Sequence, residues 1–314
     1  MTDAATPPVA IVTAARNMEE YIGKTIGSVL RQTLTDFEMI VIDDASNDAT
    51  SLAVAAITDP RVRLISIPRA GVSAARNRGL DACRAPLIVF LDADDLLLPD
   101  ALDRMVAAMA AHPHHVACFG HHVKIDEDDA PFNNEAPSPL RPLPAKNTLR
   151  HLLCGNVIVT GGALCTRTAA ARRIGGYDTT LYFAEDWEFW CRLAALGDFV
   201  ALPDFIAVQY RVRTKGANAA LAGSPLRPNL QALDVIYQAP AVNERFSAGE
   251  LRRFRRLAES NLHWAAARNE LIKGHILRFT TYLIAGALRY PESLFQWRLT
   301  YALFGCLPFI RRRS

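Results

Sequence analysis

The chain has 314 residues, of which half are hydrophobic and 21% are charged. This length and composition are typical of a globular chain with one large domain and a smaller addition, and they exclude a disordered chain, a collagen-like fibre and a coiled coil. The net charge is only +3, but residues 251–314 carry +9 and the preceding residues carry −6. The sequence therefore predicts an acidic body with a basic tail, and such a tail suits nucleic acid, anionic lipid or another protein. The excess of Arg over Lys does not by itself indicate nucleic acid, so no nucleic-acid partner is inferred.

The six cysteines form no C-x-x-C pair and no zinc-ligand spacing, which predicts free thiols in a reducing compartment. The first residues include Asp3 and lack the basic and apolar segments of a secretory signal. The longest candidate for a membrane span, residues 276–288, is short and contains Arg278. These features predict a cytoplasmic protein, with peripheral association to the inner face of the membrane as a further possibility raised by the basic tail.

The first 110 residues alternate strand and helix signals. Apolar runs predict strands over residues 9–14, 37–42, 62–67 and 86–91. Helices are predicted over residues 19–31, after Asp48, over 71–82 and from Pro99. Repeated β-α units with apolar strands predict a parallel sheet that helices cover on both faces.

The second half of the chain begins with a proline-rich stretch. Residues 125–147 contain five prolines and are predicted to form a long exposed loop. A strand is then expected over residues 163–166, a turn over 175–178, and a helix with a buried aromatic face from Glu185-Asp186. From about residue 229 the chain is predicted to be helical and basic, which divides it into residues 1–228 and a C-terminal region of residues 229–314.

Acidic residues follow two of the predicted strands. Asp44 ends the second strand, and Asp92-Ala93-Asp94 follows the fourth. Ligands of parallel sheets bind beyond the carboxyl ends of the strands, so both groups are expected at one edge. Two carboxylates one residue apart suit a hard divalent cation, although such pairs also form turns. Asp44 is suited to a nucleobase N–H or a ribose hydroxyl, or else to capping the helix that follows.

Three further groups have both a functional and a structural interpretation. Arg76 is either a carboxylate or phosphate contact or a solvated helix residue. Asp186, in the first turn of the aromatic helix, is either a general base or a cap. Arg211 and Arg213 either neutralise a diphosphate or are edge-strand charges. The histidines at positions 112–122 fit no zinc pattern and are better explained by a surface helix end followed by a strand.

Together these motifs resemble glycosyltransferase family 2. The resemblance covers residues 9–213 and rests on the order and spacing of several short segments, which are residues 9–17, 32–33, 37–38, 41–48, 71–79, 90–95, 175–178 and 185–187. It implies a GT-A fold, an α/β architecture with a Rossmann-like, mostly parallel sheet flanked by helices, here with a C-terminal helical extension. It also implies an inverting transferase that uses a nucleotide-sugar donor and a divalent cation, manganese or magnesium.

The resemblance also implies a role for each matching position. Asp186 matches the general base. The acid Asp44 matches the nucleobase contact, commonly to uracil, which favours a UDP-linked donor. Within the D-x-D motif Asp92 lies near the ribose and Asp94 binds the metal. The remaining donor-side positions implied by the resemblance are Ala14, Arg16, Arg76, Ala93 and Arg213.

The chain departs from the family pattern at two places. Ala14 and Arg16 replace the usual proline or threonine and the aromatic residue at the end of the first strand, so a guanidinium would stack on the base. Arg213 stands where many relatives have His, which suits a diphosphate contact but not a metal ligand. The processive Q-x-x-R-W signature is absent, which favours transfer of single sugars to a glycan or lipid-linked acceptor, as in cell-surface polysaccharide or glycolipid synthesis.

Two other interpretations remain open. A sugar nucleotidyltransferase on a related sheet would need a glycine-rich basic loop after the first strand, and residues 14–17 do not supply one. A catalytically silent nucleotide-sugar-binding or scaffold protein would not need the full set of acids. In the tail, residues 294–310 are predicted to form a helix that lies on an anionic membrane, or else one that packs on the catalytic domain.

Overall fold

The computed structural model describes residues 6–132, 146–213 and 226–291. The chain divides into two compact units. The first contains the residues up to 152 together with residues 156–213, and the second contains residues 153–155 and those from 214 onward.

An eight-stranded sheet forms the centre of the first unit. Its strands are β1 Val9–Ala15, β2 Glu38–Asp44, β3 Val62–Ile67, β4 Leu87–Phe90, β5 Leu96–Leu97, β6 Ala117–Ile125, β7 Leu164–Arg167 and β8 Phe199–Arg211. They are ordered β3-β2-β1-β4-β7-β6-β8-β5. Strands β1 to β4 are mutually parallel, β7 runs antiparallel to both of its neighbours, β8 pairs parallel with β6, and β5 closes the order antiparallel to β8.

In the described part of the chain, seven α-helices and one short 3₁₀ helix accompany the sheet. They are α1 Ile22–Leu30, α2 Thr50–Ala55, α3 Val72–Ala82, α4 Ala101–Ala111, α5 Thr148–Cys154, α6 Thr168–Arg173, α7 Glu185–Leu196 and the 3₁₀ helix Gly161–Ala163. Every residue of β2 is buried, as expected for a central parallel strand covered on both faces. Helix α3 lies so close to β1 that a Cβ at Gly79 would stand 2.2 Å from the Val12 side chain. This close approach packs the C-terminal half of α3 against the middle of β1.

The second unit is helical in its described part. Its helices are α8 Leu226–Gln238, α9 Pro240–Asn243, α10 Ala248–Ile272 and α11 Ile276–Arg289. A capping box starts α10, because Ser247 Oγ accepts the Glu250 N–H and the Glu250 carboxylate accepts the Ser247 N–H. Residues 153–155 join this unit through the Tyr237 hydroxyl, which donates to the Leu153 carbonyl at 2.8 Å. Within the ranges that the structure describes, no helix is long and apolar enough to cross a bilayer.

The predicted α/β class is confirmed, with its mostly parallel sheet, flanking helices and C-terminal helices. The edge-strand interpretation of Arg211 is wrong, since β8 lies between β6 and β5 and Arg211 is buried. The five described cysteines are free, as predicted. Much of the predicted proline-rich loop, Cys306 and the predicted helix over residues 294–310 lie outside the described residues.

Candidate active site

The acids that end β2 are held by neighbouring backbone and hydroxyl groups. Asp44 accepts the Ala70 N–H at 2.6 Å through Oδ1 and the Gly71 N–H at 3.0 Å through Oδ2, and so fixes the entry into α3. Asp43 accepts the Ser51 hydroxyl at 2.6 Å. The expected alternative that Asp44 caps the next helix is wrong, because that region uses Asp48, whose Oδ1 accepts the Thr50 N–H at 3.0 Å.

The ends of β1 and β2 are joined by side-chain contacts. Asn17 accepts the Asn47 N–H at 3.0 Å, and the Asn17 N–H donates to Ser46 Oγ at 3.0 Å. Asn17 adopts a left-handed backbone with φ of 53°, so the chain turns sharply directly after Arg16. Arg16 is half-buried, and its Nε has no hydrogen-bond partner within the described part of the chain. Ala14 and Arg16 therefore lie beside Asp44 at the same edge of the sheet, as their strands predict.

Arg76 of α3 is the centre of a buried ion-pair cluster. Its side chain is 6% exposed. Its guanidinium lies 2.7 Å from an Asp92 oxygen, 2.8 Å from a Glu185 oxygen and 3.0 Å from Asp186 Oδ1. The alternative of a solvated helix residue is wrong. One buried cation thus connects the D-x-D segment after β4 with the first turn of α7.

The first turn of α7 does not use its acids as caps. Ala184, the residue before the helix, has a left-handed φ of 58°, and no side chain caps the helix. Glu185 and Asp186 instead face Arg76. The capping interpretation of Asp186 is therefore wrong.

The protonation of Asp186 is strongly perturbed. Burial raises the pKa of this carboxyl to about 7, and the nearby charges of Glu185 and Asp92 add to the rise. Arg76 and the Tyr177 hydroxyl act in the opposite direction on the same pKa. A carboxyl that titrates near neutral pH exchanges protons readily at working pH, which is the property that a general base requires.

Tyr177 forms the wall beside this carboxyl. Its ring stacks on Phe189 with centroids 4.2 Å apart, meets Phe90 edge-on, and lies 5.0 Å below the Arg76 guanidinium carbon. Its hydroxyl and Asp186 Oδ1 are both buried, and neither makes a hydrogen bond of standard geometry to the described residues. The Tyr177 hydroxyl lowers the pKa of Asp186.

Asn77 fixes the position of Tyr177. Its side-chain amide accepts the Tyr177 N–H at 2.7 Å and donates to the Tyr177 carbonyl at 2.8 Å. The preceding Gly176 has φ of +72°, and a Cβ there would stand 2.3 Å from the Asn77 amide oxygen. Glycine is therefore required at this turn by both the backbone angle and the space.

The second acid of the D-x-D segment meets a different arginine. Asp94 lies 2.6 Å from Arg213 Nε, and both side chains are largely buried. Burial and the charge of Asp92 raise the pKa of Asp94, while Arg213 lowers it. Ala93 between the two acids is buried, and its carbonyl accepts the Thr25 hydroxyl at 2.9 Å. The two carboxylates of the motif are thus close enough to repel each other.

Arg211 and Asp95 support this segment from behind. Asp95 is fully buried and accepts the Thr160 hydroxyl at 2.8 Å and the Arg211 N–H at 2.9 Å. The Arg211 side chain donates to the Asp94 carbonyl at 2.8 Å. Arg211 is therefore part of the frame that fixes the acidic loop.

Asp92 and Asp94 are the side chains of this edge that could hold a metal ion together with a phosphate ligand. Among the residues that the structure describes, no group of three or more His, Cys, Asp and Glu side chains is placed to hold a metal alone. Magnesium is commonly held by one or two carboxylates, with substrate phosphates and water completing its shell. The raised pKa of Asp94 also indicates crowded negative charge, which a divalent cation would relieve.

The histidines predicted to be structural lie after the end of α4 and within β6.

The structure brings most predicted site residues to one edge of the sheet. Asp92, Arg76 and Asp186 form one cluster, and Asp94 with Arg213 forms a second beside it. Asp44 makes no direct contact with either cluster but holds the start of α3, which carries Arg76. The contacts of Glu185, Tyr177, Asn77 and Asp95 are not apparent from the sequence. The turn at residues 175–178 was the one signal near Tyr177.

The clustered side chains lie beyond the carboxyl ends of the parallel strands, which is where open α/β folds bind their ligands. The chain belongs to Glycosyl transferase family 2, whose model matches residues 10–175, a little over half of its length. It is 48% identical over 101 residues to the succinoglycan biosynthesis protein ExoO of Rhizobium meliloti (strain 1021). This alignment covers 32% of this chain and 29% of ExoO. It is 35% identical over 102 residues to UDP-Glc:alpha-D-GlcNAc-diphosphoundecaprenol beta-1,3-glucosyltransferase WfgD of Escherichia coli. This alignment covers 32% of this chain and 40% of WfgD. The matches thus span about a third of each of these relatives.

Solved structures share the fold over a longer stretch. S. aureus TarS 1–349 in complex with UDP-GlcNAc superposes with a TM-score of 0.65 at 17% identity, covering 94% of this chain and 86% of that one. The mannosyltransferase PcManGT from Pyrobaculum calidifontis, in complex with GDP-Man and Mn²⁺, gives a TM-score of 0.55 at 22% identity, covering 91% of this chain and 88% of that one. At these identities the likeness concerns the fold, and the GT-A type expected from the resemblance is confirmed.

Proposed function

We propose that this protein transfers a single sugar, with inversion, from a nucleotide-diphosphate sugar to a hydroxyl acceptor. The observation that carries the proposal is the Arg76 cluster, which places Asp186, with a pKa of about 7, beside the D-x-D segment. A base on one side of a diphosphate site is the arrangement that an inverting displacement needs. Family membership supports the same reaction class.

The donor is proposed to lie along the ends of β1, β2 and β4. Asp44 would accept from the nucleobase, because each of its oxygens retains a lone pair beyond the backbone hydrogen bond that it already makes. Arg16 would stack on the base, with Ala14 leaving room for it, and Asp92 and Ala93 would lie near the ribose. Arg213 would contact the diphosphate through its remaining donors. A UDP-linked donor is the first choice, since TarS binds UDP-GlcNAc in the solved complex.

Asp186 is proposed to act on the acceptor. Its carboxylate takes the proton from the acceptor hydroxyl while the hydroxyl oxygen attacks the anomeric carbon. The bond from that carbon to the diphosphate oxygen breaks, and its electron pair leaves with the nucleoside diphosphate. A divalent cation held by Asp94 would neutralise the charge on that leaving group.

Arg76 is proposed to hold the surrounding acids in position and not to contact the nucleotide directly. Its guanidinium is already shared among Asp92, Glu185 and Asp186. It holds the base at a fixed place relative to the donor segment, and it limits the rise in the pKa of Asp186.

The acceptor is proposed to be a glycan or lipid-linked sugar of a cell-surface polysaccharide or glycolipid. The similarity to ExoO and WfgD supports this, since the first acts in succinoglycan biosynthesis and the second on a diphosphoundecaprenol-linked sugar. An acceptor of that kind would place the enzyme at the inner face of the membrane. The basic composition of residues 251–314 supports that location.

The metal and donor are tested together by Asp94→Ala. We expect this change to abolish metal-dependent donor binding, because one hard oxygen ligand and its charge are lost. Calorimetry would titrate a panel of nucleoside diphosphates and nucleotide sugars into the protein with manganese or magnesium. Asp100→Ala, which removes an exposed acid 3.7 Å from Arg104, is the matched control. Unchanged affinity in Asp94→Ala would contradict the assignment.

The same donor panel separates the other interpretations. Release of nucleoside diphosphate on adding an acceptor identifies a transferase, and formation of a nucleotide sugar from a nucleoside triphosphate identifies a nucleotidyltransferase. Donor binding without any turnover would favour the silent binding protein.

A further inference from the structure

Helix α11 presents an apolar surface to solvent. Leu277 is 86% exposed, Leu288 80%, Ile276 59% and Ile284 52%. Leu277, Ile284 and Leu288 are spaced at i, i+7 and i+11, which places them on one face of the helix. We call these three residues the leucine-isoleucine stripe. Exposed large apolar side chains at this density within one short helix indicate a binding surface.

The polar residues within this surface are already satisfied. The hydroxyls of Thr280 and Thr281 donate to the carbonyls of Ile276 and Leu277 at 2.8 and 2.9 Å. Their methyl groups therefore extend the apolar surface, and their hydroxyls lose little when water is removed. The face of α11 is thus prepared for a medium of low polarity.

The opposite face of α11 packs against α10. The Tyr290 hydroxyl donates to Glu259 at 2.5 Å, its ring lies 5.5 Å from that of His263, and a Cβ at Gly286 would stand 3.4 Å from the His263 side chain. The direction of α11 is therefore fixed by contacts within the second unit. The stripe is not the face by which α11 joins its neighbour.

The charge of residues 251–291 indicates which kind of partner the stripe binds. Residues 251–291 contain eight basic and two acidic residues. Both acids are engaged, Glu259 with Arg255 and Tyr290, and the buried Glu270 with His275 and, at 4.0 Å, with one guanidinium nitrogen of Arg278. Arg278, whose side chain is 66% exposed, and the exposed Arg289 flank the stripe on the same side of the helix. Cations beside an apolar stripe complement anionic headgroups above acyl chains.

We propose that α11 lies in the surface of an anionic membrane, with the leucine-isoleucine stripe entering the acyl region and Arg278 and Arg289 contacting lipid phosphates. With 14 residues the helix is about 21 Å long, too short to span a bilayer but sufficient to lie along it. The inference gives the location in the proposed function a defined surface. It does not depend on sugar transfer.

The test is co-sedimentation of the full chain with vesicles, without donor or acceptor. One set contains phosphatidylcholine alone, and the other replaces a quarter of it with phosphatidylglycerol. We expect binding to the anionic vesicles only, weakened by high salt. Replacing the stripe by Leu277→Gln, Ile284→Gln and Leu288→Gln together should lower the bound fraction by at least about tenfold. Leu52→Gln, at a 74% exposed leucine of α2, is the matched control and should bind like the wild type.

Several results would overturn the proposal. These are equal binding to both vesicle types, no binding by the wild type, or full binding by the triple variant. An oligomer of the wild type that the triple variant disperses, without vesicle binding, would show that the stripe meets a second copy of the chain. Circular dichroism checks folding of the triple variant, and Leu277→Gln alone, at the most exposed position, provides a milder change that should lower binding in the same direction. Because the vesicle test measures no turnover, it can fail while the transfer assays succeed. It can also succeed while the transfer assays fail.

Discussion

Two acid pairs of the first unit differ in what holds them. At the end of β2, Asp43 and Asp44 are bound by hydroxyl and backbone N–H groups from at most 27 residues away. At the start of α7, Glu185 and Asp186 are held by the side chain of Arg76, which is 109 residues from Glu185. Backbone donors fix Asp44 as part of the frame, whereas Asp186 lies beside a cation with one oxygen free of standard hydrogen bonds. The difference supports the proposed role of Asp186 in proton transfer.

The largest expected effect is that of Asp186→Asn. The amide keeps the size of the side chain but cannot accept the proton, so we expect turnover to fall by about 10²-fold or more. Donor affinity should remain near that of the wild type. Steady-state assays with calorimetry of donor binding would check both. Asp178→Asn, in the nearby turn, is the control, and a variant at position 186 with near wild-type turnover would show that this acid is only structural.

The same variant has a predicted effect on stability. The pKa of Asp186 is raised from 3.8 to about 7, so the folded state holds a proton that the unfolded state has lost. The wild type therefore loses stability from this group as the pH rises between these values. Asp186→Asn should lack that loss and melt no lower than the wild type at pH above 7.

The second effect is that of Asp44→Asn, which we expect to lower the stability of the fold. The amide retains one acceptor for the two N–H groups of residues 70 and 71, so one charge-assisted hydrogen bond is lost. We expect the free energy of unfolding to fall by about 1.5–3 kcal/mol. Thermal unfolding measures the change, and Asp36→Asn, at an exposed residue before β2, is the control. If Asp44→Asn melts like the wild type while Asp186→Asn is destabilised, the contrast between the two acid pairs is wrong.

The smallest effect is expected for Tyr177→Phe. Its hydroxyl lowers the pKa of Asp186, so removing it should raise that pKa. The acidic limb of the profile of turnover against pH should then move to higher pH, with the loss confined to neutral and acidic conditions. Tyr182→Phe, at a 67% exposed tyrosine in the same segment, should leave the profile unchanged. A uniform loss at every pH would indicate a packing defect and not a change in the base.

The strands and the acids at their ends were predictable because each depends on a local pattern. Apolar runs located β1 to β4 within one or two residues, and parallel strands must bring their carboxyl ends to one edge. The aromatic helix after Glu185 followed from its apolar face in the same way.

The partners within the site were not predictable in this manner. Whether Arg76 is solvated or buried depends on where Glu185 lies, and nothing local to α3 contains that information. Of the two interpretations of Arg211, the edge-strand one could not be rejected from the sequence, because the order of β6, β8 and β5 arises from long-range pairing. The hydrogen-bond partners of Asp44 were not predictable either, because its two donors follow β3 and are distant in the sequence.

The long reach of Arg76 has a consequence for synthesis of the chain on the ribosome. Asp92 follows Arg76 out of the exit tunnel after 16 residues, but Glu185 follows only after 109. At typical translation rates that interval is on the order of ten seconds. During it a guanidinium destined for the interior has one of its three carboxylates, and β4 lacks the β7 strand that will pair with it. The nascent chain therefore passes through a period in which this buried ion-pair cluster is incomplete. During that period we expect water to solvate the Arg76 guanidinium, because two of its carboxylate partners have not yet been synthesised.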